Sequence, residues 1–198
     1  SVSGSGSYTC GVTTGGEMHC WGANGGGQLG DGTTSDSTVP VLVTGGHSWA
    51  SLGNPCGVTT GGEAYCWGSN NLGQLGDGTT MSRNTPTLVI GGMTWMLVTG
   101  AGPHTCAVMI FDEAYCWGWN VQGQLGNGTT SGYYMANPIP ALVTGGYRWT
   151  SITVGDRHTC GVTTTGEAYC WGYNSNNQLL GDGTTTNRYV PTKVGGSW

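Results

Sequence analysis

Residues 10–22 read Cys-Gly-Val-Thr-Thr-Gly-Gly-Glu-Met-His-Cys-Trp-Gly, and the string returns three times: from Cys56, from Cys106 as CAVMIFDEAYCWG, and from Cys160 as CGVTTTGEAYCWG. Outward from each copy the order of features is the same. A variant of GQLGDGTT comes next, then a proline-containing stretch, a valine, a Gly-Gly pair and a tryptophan. The chain is therefore four copies of one unit. A period near 50 residues marks units that stack or radiate, none of which buries its apolar face alone. Almost every feature occurs four times, whereas a catalytic site joins unlike residues at one place. The sequence argues for a scaffold before it argues for chemistry.

Ser7 to Thr13 alternates and is rich in β-formers, Gly15-Gly16 turns, and Glu17 to Trp21 returns. A hairpin centred on Gly15 sets Cys10 opposite Cys20 and Val12 opposite Met18. Opposed residues of antiparallel strands have Cα atoms roughly 4.5–5.5 Å apart, within reach of a disulfide. The spacing predicts four bridges, Cys10–Cys20, Cys56–Cys66, Cys106–Cys116 and Cys160–Cys170, each worth about 2–3 kcal/mol. A zinc site needs closely spaced thiolates with histidine partners, and this spacing does not supply them, so neither metal nor cofactor is expected. Regularly paired cysteines imply an oxidising place, extracellular, periplasmic or at the cell surface.

Beyond the hairpin, Gln28-Leu29-Gly30 reads as a short buried anchor and Asp31-Gly32-Thr33-Thr34 as a turn. Pro40 to Val43 reads as a strand whose proline suits a strand start or edge, and Trp49 to Leu52 opens the next unit. That makes four short antiparallel strands per unit with no helical periodicity. The expected fold class is all-β, with four propeller-like blades of about 50 residues, arranged as a ring, a partial ring or an open stack. The repeats run 1–48, 49–94, 95–148 and 149–198. Only 8% of residues are charged and 40 are glycine, a bias that can mark low complexity. The nine Trp and nine Tyr offer apolar surface to bury and argue otherwise. The net charge of −5, with Lys193 the one lysine, excludes the clustered cations a nucleic-acid binder needs. No run of apolar residues is long enough for a membrane span.

The pattern EAYCWGxNxxGQLGDGTT, closest at Trp67–Thr80 as WGSNNLGQLGDGTT, resembles the regulator-of-chromosome-condensation repeat family, and the resemblance covers the whole chain. It implies a β-propeller. Members of that family mostly bind: a nucleotide-exchange factor for a small GTPase, a bacterial inhibitor of β-lactamases, a plant ultraviolet photoreceptor. The fold therefore does not fix the function. This chain departs from them in three ways. Four repeats stand where members usually close about seven blades. The paired cysteines point outside the cell, whereas the exchange factor is intracellular. The tryptophans come two per repeat plus Trp119, without the arginine-flanked cluster of the photoreceptor.

Trp198 occupies the position of Trp49, Trp95 and Trp149, and Ser1-Val2-Ser3 matches the residues immediately after those tryptophans. The end thus continues into the beginning almost in register. A ring sealed by its termini, chain following chain, or a slice of a longer polypeptide all satisfy this, and the initial Ser suggests a processed or trimmed segment. Trp49 to Cys56 is four residues shorter than its counterparts, and Asn177-Gln178-Leu179-Leu180-Gly181 carries one extra leucine. These are either local bulges or errors in the sequence.

Asp31, Asp77 and Asp182, with Asn127 in the remaining copy, offer one oxygen-bearing side chain per turn, which suits an Asx-turn better than a calcium loop. Glu17, Glu63, Glu113 and Glu167 read as exposed charge rather than paired catalytic carboxylates. His104 and His158 stand where Tyr8 stands, and His19 where Tyr65, Tyr115 and Tyr169 stand, a pattern of aromatic packing. Trp21, Trp67, Trp117 and Trp171 follow the second Cys of each pair and are expected in the core; Trp49, Trp95, Trp149 and Trp198 are expected to cover blade seams. Trp119 has no counterpart. With Tyr133 and Tyr134 it is the candidate exposed patch for protein or carbohydrate, with a structural role for the insertion as the alternative. Asn127-Gly128-Thr129 is the one N-glycosylation sequon. The reading these features favour is a non-catalytic extracellular structural or adhesive protein. Its partner would be itself, as a homo-oligomer, filament or surface layer. The alternative is a binding module, either a protein inhibitor or a glycan-binding propeller.

Overall fold

The computed structural model describes residues 1–100, 102–175 and 178–196. Asn177 in the irregular fourth copy and Trp198 at the seam lie outside the described residues. The fold is all-β. Four antiparallel sheets each run in sequence order. The first is β1 (Val2–Ser5), β2 (Tyr8–Val12), β3 (Met18–Gly22) and β4 (Ser37–Leu42). The second is β5 (Trp49–Leu52), β6 (Cys56–Thr59), β7 (Ala64–Gly68) and β8 (Arg83–Leu88). The third is β9 (Trp95–Gly100), β10 (His104–Met109), β11 (Ala114–Gly118) and β12 (Ala141–Leu142). The fourth is β13 (Trp149–Val154), β14 (His158–Thr163), β15 (Ala168–Gly172) and β16 (Arg188–Lys193). Successive sheets pack on one another through β2 and β5, β6 and β9, and β10 and β13. Among the described residues no comparable packing joins the fourth sheet to the first, so the blades form an open arc.

In the first hairpin Cys10 faces Cys20 and Val12 faces Met18, and the register repeats in the other three. All four disulfides are formed within their own blades, with Cα atoms 4.1 Å apart. That spacing belongs to the closer, non-hydrogen-bonded kind of opposed pair. Each hairpin turn places a residue in the left-handed region, Gly16, Gly62, Gly166 and, in the third blade, Asp112 at φ 65°. The outer strands are longer than Pro40–Val43 suggested. β4 begins at Ser37, and Pro40, Pro86 and Pro191 sit inside their strands. The outer edge tolerates them because no neighbouring strand needs their missing N–H.

The two irregularities have separate structural solutions. The short second copy loses residues from its first hairpin. β5 stops at Leu52, and Gly53-Asn54-Pro55 crosses directly to β6. A Cβ on Gly53 would sit 2.0 Å from the Val98 carbonyl oxygen, so only glycine fits there. In the fourth copy Leu180 takes the fully buried place of Leu29, Leu75 and Leu125, while the extra Leu179 is 38% exposed beside Gln178, which adopts φ 50°.

The core lies between blades rather than within them. One buried cluster joins the first and second blades around Met18, Leu29, Trp49 and Trp67. The second holds Val58, Leu75, Trp95 and Trp117, and the third Val108, Leu125, Trp149 and Trp171. The two tryptophans of a blade lean together, with centroids 5.5–6.0 Å apart in the last three blades. The first of each pair also locks onto the preceding blade. The backbone N–H groups of Trp49, Trp95 and Trp149 donate to the carbonyls of Gly16, Gly62 and Asp112.

Candidate functional site

The loop between the third and fourth strands of each blade is organised by a residue to which the sequence assigned no task. Asn24, Asn70, Asn120 and Asn174 are each at most 1% exposed. Asn24 accepts from the Leu29 N–H at 2.9 Å and donates to Asp31 and to the Thr33 carbonyl, both at 3.2 Å. The leucine contact recurs at Asn70, Asn120 and Asn174. Asp31 in turn accepts from the N–H and hydroxyl of Thr33, the Asx-turn arrangement, and Asp77 and Asp182 do the same with Thr79 and Thr184. Arg83 and Arg188 add ion pairs to Asp77 and Asp182 at 3.0 and 2.6 Å. Burial alone would raise the Asp182 pKa, but the bonds from Arg188 and Thr184 outweigh it and bring it down to about 2. Asp77 is lowered by the same balance. The carboxylate oxygens are thus already engaged by protein donors.

The loop so shaped is the socket of each blade junction. The indole N–H of Trp67 donates to the Gln28 carbonyl at 2.8 Å, and Trp117 and Trp171 donate to Gln74 and Gln124 at 3.0 Å. Gly30, Gly76 and Gly126 lie under those rings, where a Cβ would come within 2.5–2.9 Å of the indole nitrogen. Trp67, Trp117 and Trp171 are fully buried. Trp21, expected to match them, is only half-buried, because no loop among the described residues covers its ring. Its indole N–H has no hydrogen-bond partner among the described residues. At the opposite edge Gly181 keeps the socket backbone, φ 62°, yet a Cβ there would meet only its own blade's Val194. On that edge Val162 is 38% exposed, whereas its counterpart Val108 is fully buried. The arc presents the ring half of the junction at one end and the socket half at the other.

The second feature is a cleft of about 480 Å³ bounded by Leu72, Pro103, Trp119, Tyr133, Tyr134 and Arg157. Trp119 is not the exposed aromatic expected of it. It is 6% exposed, and its indole N–H donates to the Tyr133 carbonyl at 2.9 Å, so it props the inserted loop from beneath. Tyr133 and Tyr134 are 62% and 88% exposed. The three rings meet edge to face, at 5.6 and 4.9 Å. The Arg157 guanidinium carbon lies 5.8 Å from the Trp119 ring centroid and 5.9 Å from that of Tyr173. Nothing in the spacing of the sequence announced Arg157, because blades three and four bring it to Trp119 only in space.

The remaining predicted positions are dispersed. Glu113 and Glu167 pair with Arg148 and Lys193 near the surface, and Glu17 and Glu63 are exposed. His104 is fully buried and bonded to the Thr159 hydroxyl at 2.8 Å. Burial, with a smaller contribution from His158, pushes its pKa down to about 3 and keeps it neutral. Asn127 is half-buried, with its carbonyl oxygen accepting from Thr129. Among the described residues no three His, Cys, Asp or Glu side chains gather as around a metal ion. Among the described residues no helix is long and apolar enough to cross a membrane.

The profile of the regulator of chromosome condensation (RCC1) repeat matches residues 15–52, 61–108, 112–162 and 165–197, and a second profile of the same repeat matches 149–178. Among solved structures, human WBSCR16 is 20% identical with a TM-score of 0.86, covering 98% of this chain and 52% of that one. Prp20p from Saccharomyces cerevisiae, studied for its binding to Gsp1p and histones, is 17% identical with a TM-score of 0.83, covering 100% and 50%. The ectodomain of the Physcomitrella patens receptor kinase CR4 is 21% identical with a TM-score of 0.52, covering 86% and 38%. At these identities the likeness speaks to the fold alone. The chain spans about half the length of the first two. No curated protein matches it by sequence.

Proposed function

The chain belongs to the regulator of chromosome condensation (RCC1) repeat family, and on that premise we propose that it is a non-catalytic assembly module that joins copy to copy, end to end, outside the cell. Its repeating units are residues 1–48, 49–94, 95–148 and 149–198. One observation carries the reading. Three internal junctions use the same ring and socket, and among the described residues the two edges of the arc carry matching halves of the same junction. A head-to-tail contact of that kind extends without limit unless the rotation closes it, giving a filament, a surface layer or a ring. The four disulfides favour an oxidising compartment, and low charge leaves little repulsion between copies. In a glycosylating source Asn127 would carry sugar.

The test is sedimentation velocity in non-reducing buffer across a concentration series, on the wild type and on Val162→Glu. The wild type should grow in size with concentration and the variant should remain a monomer. A wild type that stays monomeric at every concentration removes the reading. A binding module is the second reading, and the cleft beside Trp119 is what favours it.

A further inference from the structure

We propose that the cleft on the third blade is a docking site for an extended acidic segment of another protein, one that presents a carboxylate beside an apolar side chain. The proposal rests on the binding-module reading and names its ligand.

The site exists because the third blade breaks the pattern of the other three. Thr130 to Pro140 is ten residues, against six from Thr80 to Pro86. The outer strand shrinks accordingly to Ala141–Leu142, where its counterparts have six residues. The displaced chain is held down rather than left loose. Asn137 donates to the Gly118 carbonyl at 2.8 Å, the Ser131 N–H donates to Asn120, and Trp119 holds the Tyr133 carbonyl. This anchored loop nevertheless exposes Tyr133, Tyr134, Met135 and Ile139 by 60% or more. Large apolar side chains gathered on a pinned loop are the usual mark of a contact surface.

Charge selects the occupant. The chain has five Lys and Arg residues. Arg83, Arg148, Arg188 and Lys193 each commit a charged nitrogen to a carboxylate elsewhere in their own blade or across a junction. Arg157 differs. Its Nε meets only the adjacent Asp156, at 3.3 Å, and both side chains are about half exposed or more. Its two terminal nitrogens have no partner among the described residues. Its plane is steadied over Trp119 and Tyr173, as suits a guanidinium kept ready for a bidentate carboxylate. The rest of the wall, Leu72, Pro103, Tyr133 and Tyr134, is apolar or amphipathic, with Asn71 and the Asp156 carboxylate also lining it. Among the described residues Arg157 is thus the one cation of the cleft, and Asp156 competes with an incoming carboxylate for it. A sugar would need an open aromatic face. Trp119 is buried beneath Arg157, and Tyr133 packs edge to face against both Trp119 and Tyr134, so no two rings form a flat stacking platform, and the open guanidinium favours a peptide carboxylate.

The test is titration of the full chain, watching the Trp119 indole proton by NMR, with acetylated hexapeptides of alternating Asp-Leu and of alternating Asn-Leu, and with a neutral and an acidic oligosaccharide. Short isolated peptides are expected to bind in the millimolar range, with the acidic one ahead by about tenfold. Arg157→Gln should abolish that preference, Tyr134→Ala should weaken both peptides severalfold, and Asp156→Asn should strengthen the acidic one. Equal binding of the two peptides overturns the acidic-ligand proposal. An oligosaccharide that binds through the same residues, without the peptides, leaves the binding-module reading standing and overturns the ligand class. No binding of any probe overturns both.

Discussion

The outgoing faces of the third and fourth blades carry nearly the same sequence and meet different fates. In the third, Val108, Cys106 and Cys116 are fully buried and Ala114 is 1% exposed. In the fourth, Val162 is 38% exposed, Cys170 is 7% exposed, and Cys160 and Ala168 are only half-buried. The strand motif Ala-Tyr-Cys-Trp-Gly is identical in β11 and β15. What differs is the neighbour. Burial in this fold is a property of the junction, and the same residue is core or surface according to whether another blade follows.

The most direct challenge to that contrast is a charge placed on each face. Val108→Glu should cost more than about 4 kcal/mol and leave the third and fourth blades unfolded, whereas Val162→Glu should stay within about 1 kcal/mol of wild type in denaturant unfolding. Equal losses would show that the faces are not distinguished by their neighbours. Truncating the ring half of the junction comes next. Trp117→Ala should cost about 3–5 kcal/mol and Trp21→Ala about half as much, read from the same unfolding curves. Gly126→Ala combines a left-handed backbone with a Cβ 2.5 Å from the Trp171 indole nitrogen and should cost about 3 kcal/mol. Gly181→Ala meets only a movable valine and should cost about 1–2 kcal/mol.

Graded reduction with mass-spectrometric mapping reads the same difference chemically. The partly exposed Cys160–Cys170 bond should be cleaved and alkylated before the other three, which have fully buried sulfur-bearing residues. The smallest effect concerns acid. The folded Asp182 carboxyl is held at about 2, below its unfolded value of about 4. Its contribution is therefore complete above pH about 4 and fades as pH falls toward 2. Arg188→Gln should lower stability by less than about 1 kcal/mol at neutral pH, and the difference from wild type should vanish in that acid window.

Whatever each copy states by itself is legible in the letters. The ten-residue cysteine spacing and the Gly-Gly turn give the hairpin and its register, and the fourfold recurrence gives four sheets. The outer strand reads short because proline usually ends a strand, and here an edge absorbs it. The four buried asparagines are visible as part of a recurring pattern, but their work is to close a loop onto its own leucine N–H, which has no periodic signature. Trp21 shares the local sequence of Trp67, Trp117 and Trp171 and so reads as their equal. Its burial is set by a neighbouring loop, not by its own local sequence. Trp119 and Arg157 are farther apart in sequence than any local rule reaches, so the cleft they share leaves no trace beyond an unmatched tryptophan and a longer loop.

The placement of the cores between blades has a consequence for growth. Four blades hold three cores. In a nearest-neighbour chain, stability against length is then a straight line whose slope is one junction and whose negative offset is the pair of bare ends. Adding a blade moves along the line and leaves the offset in place. Joining the ends, within one molecule or across several, removes the offset without adding a residue. Closure is a different kind of gain from elongation, because it covers the half-exposed ring and the open socket without lengthening the array.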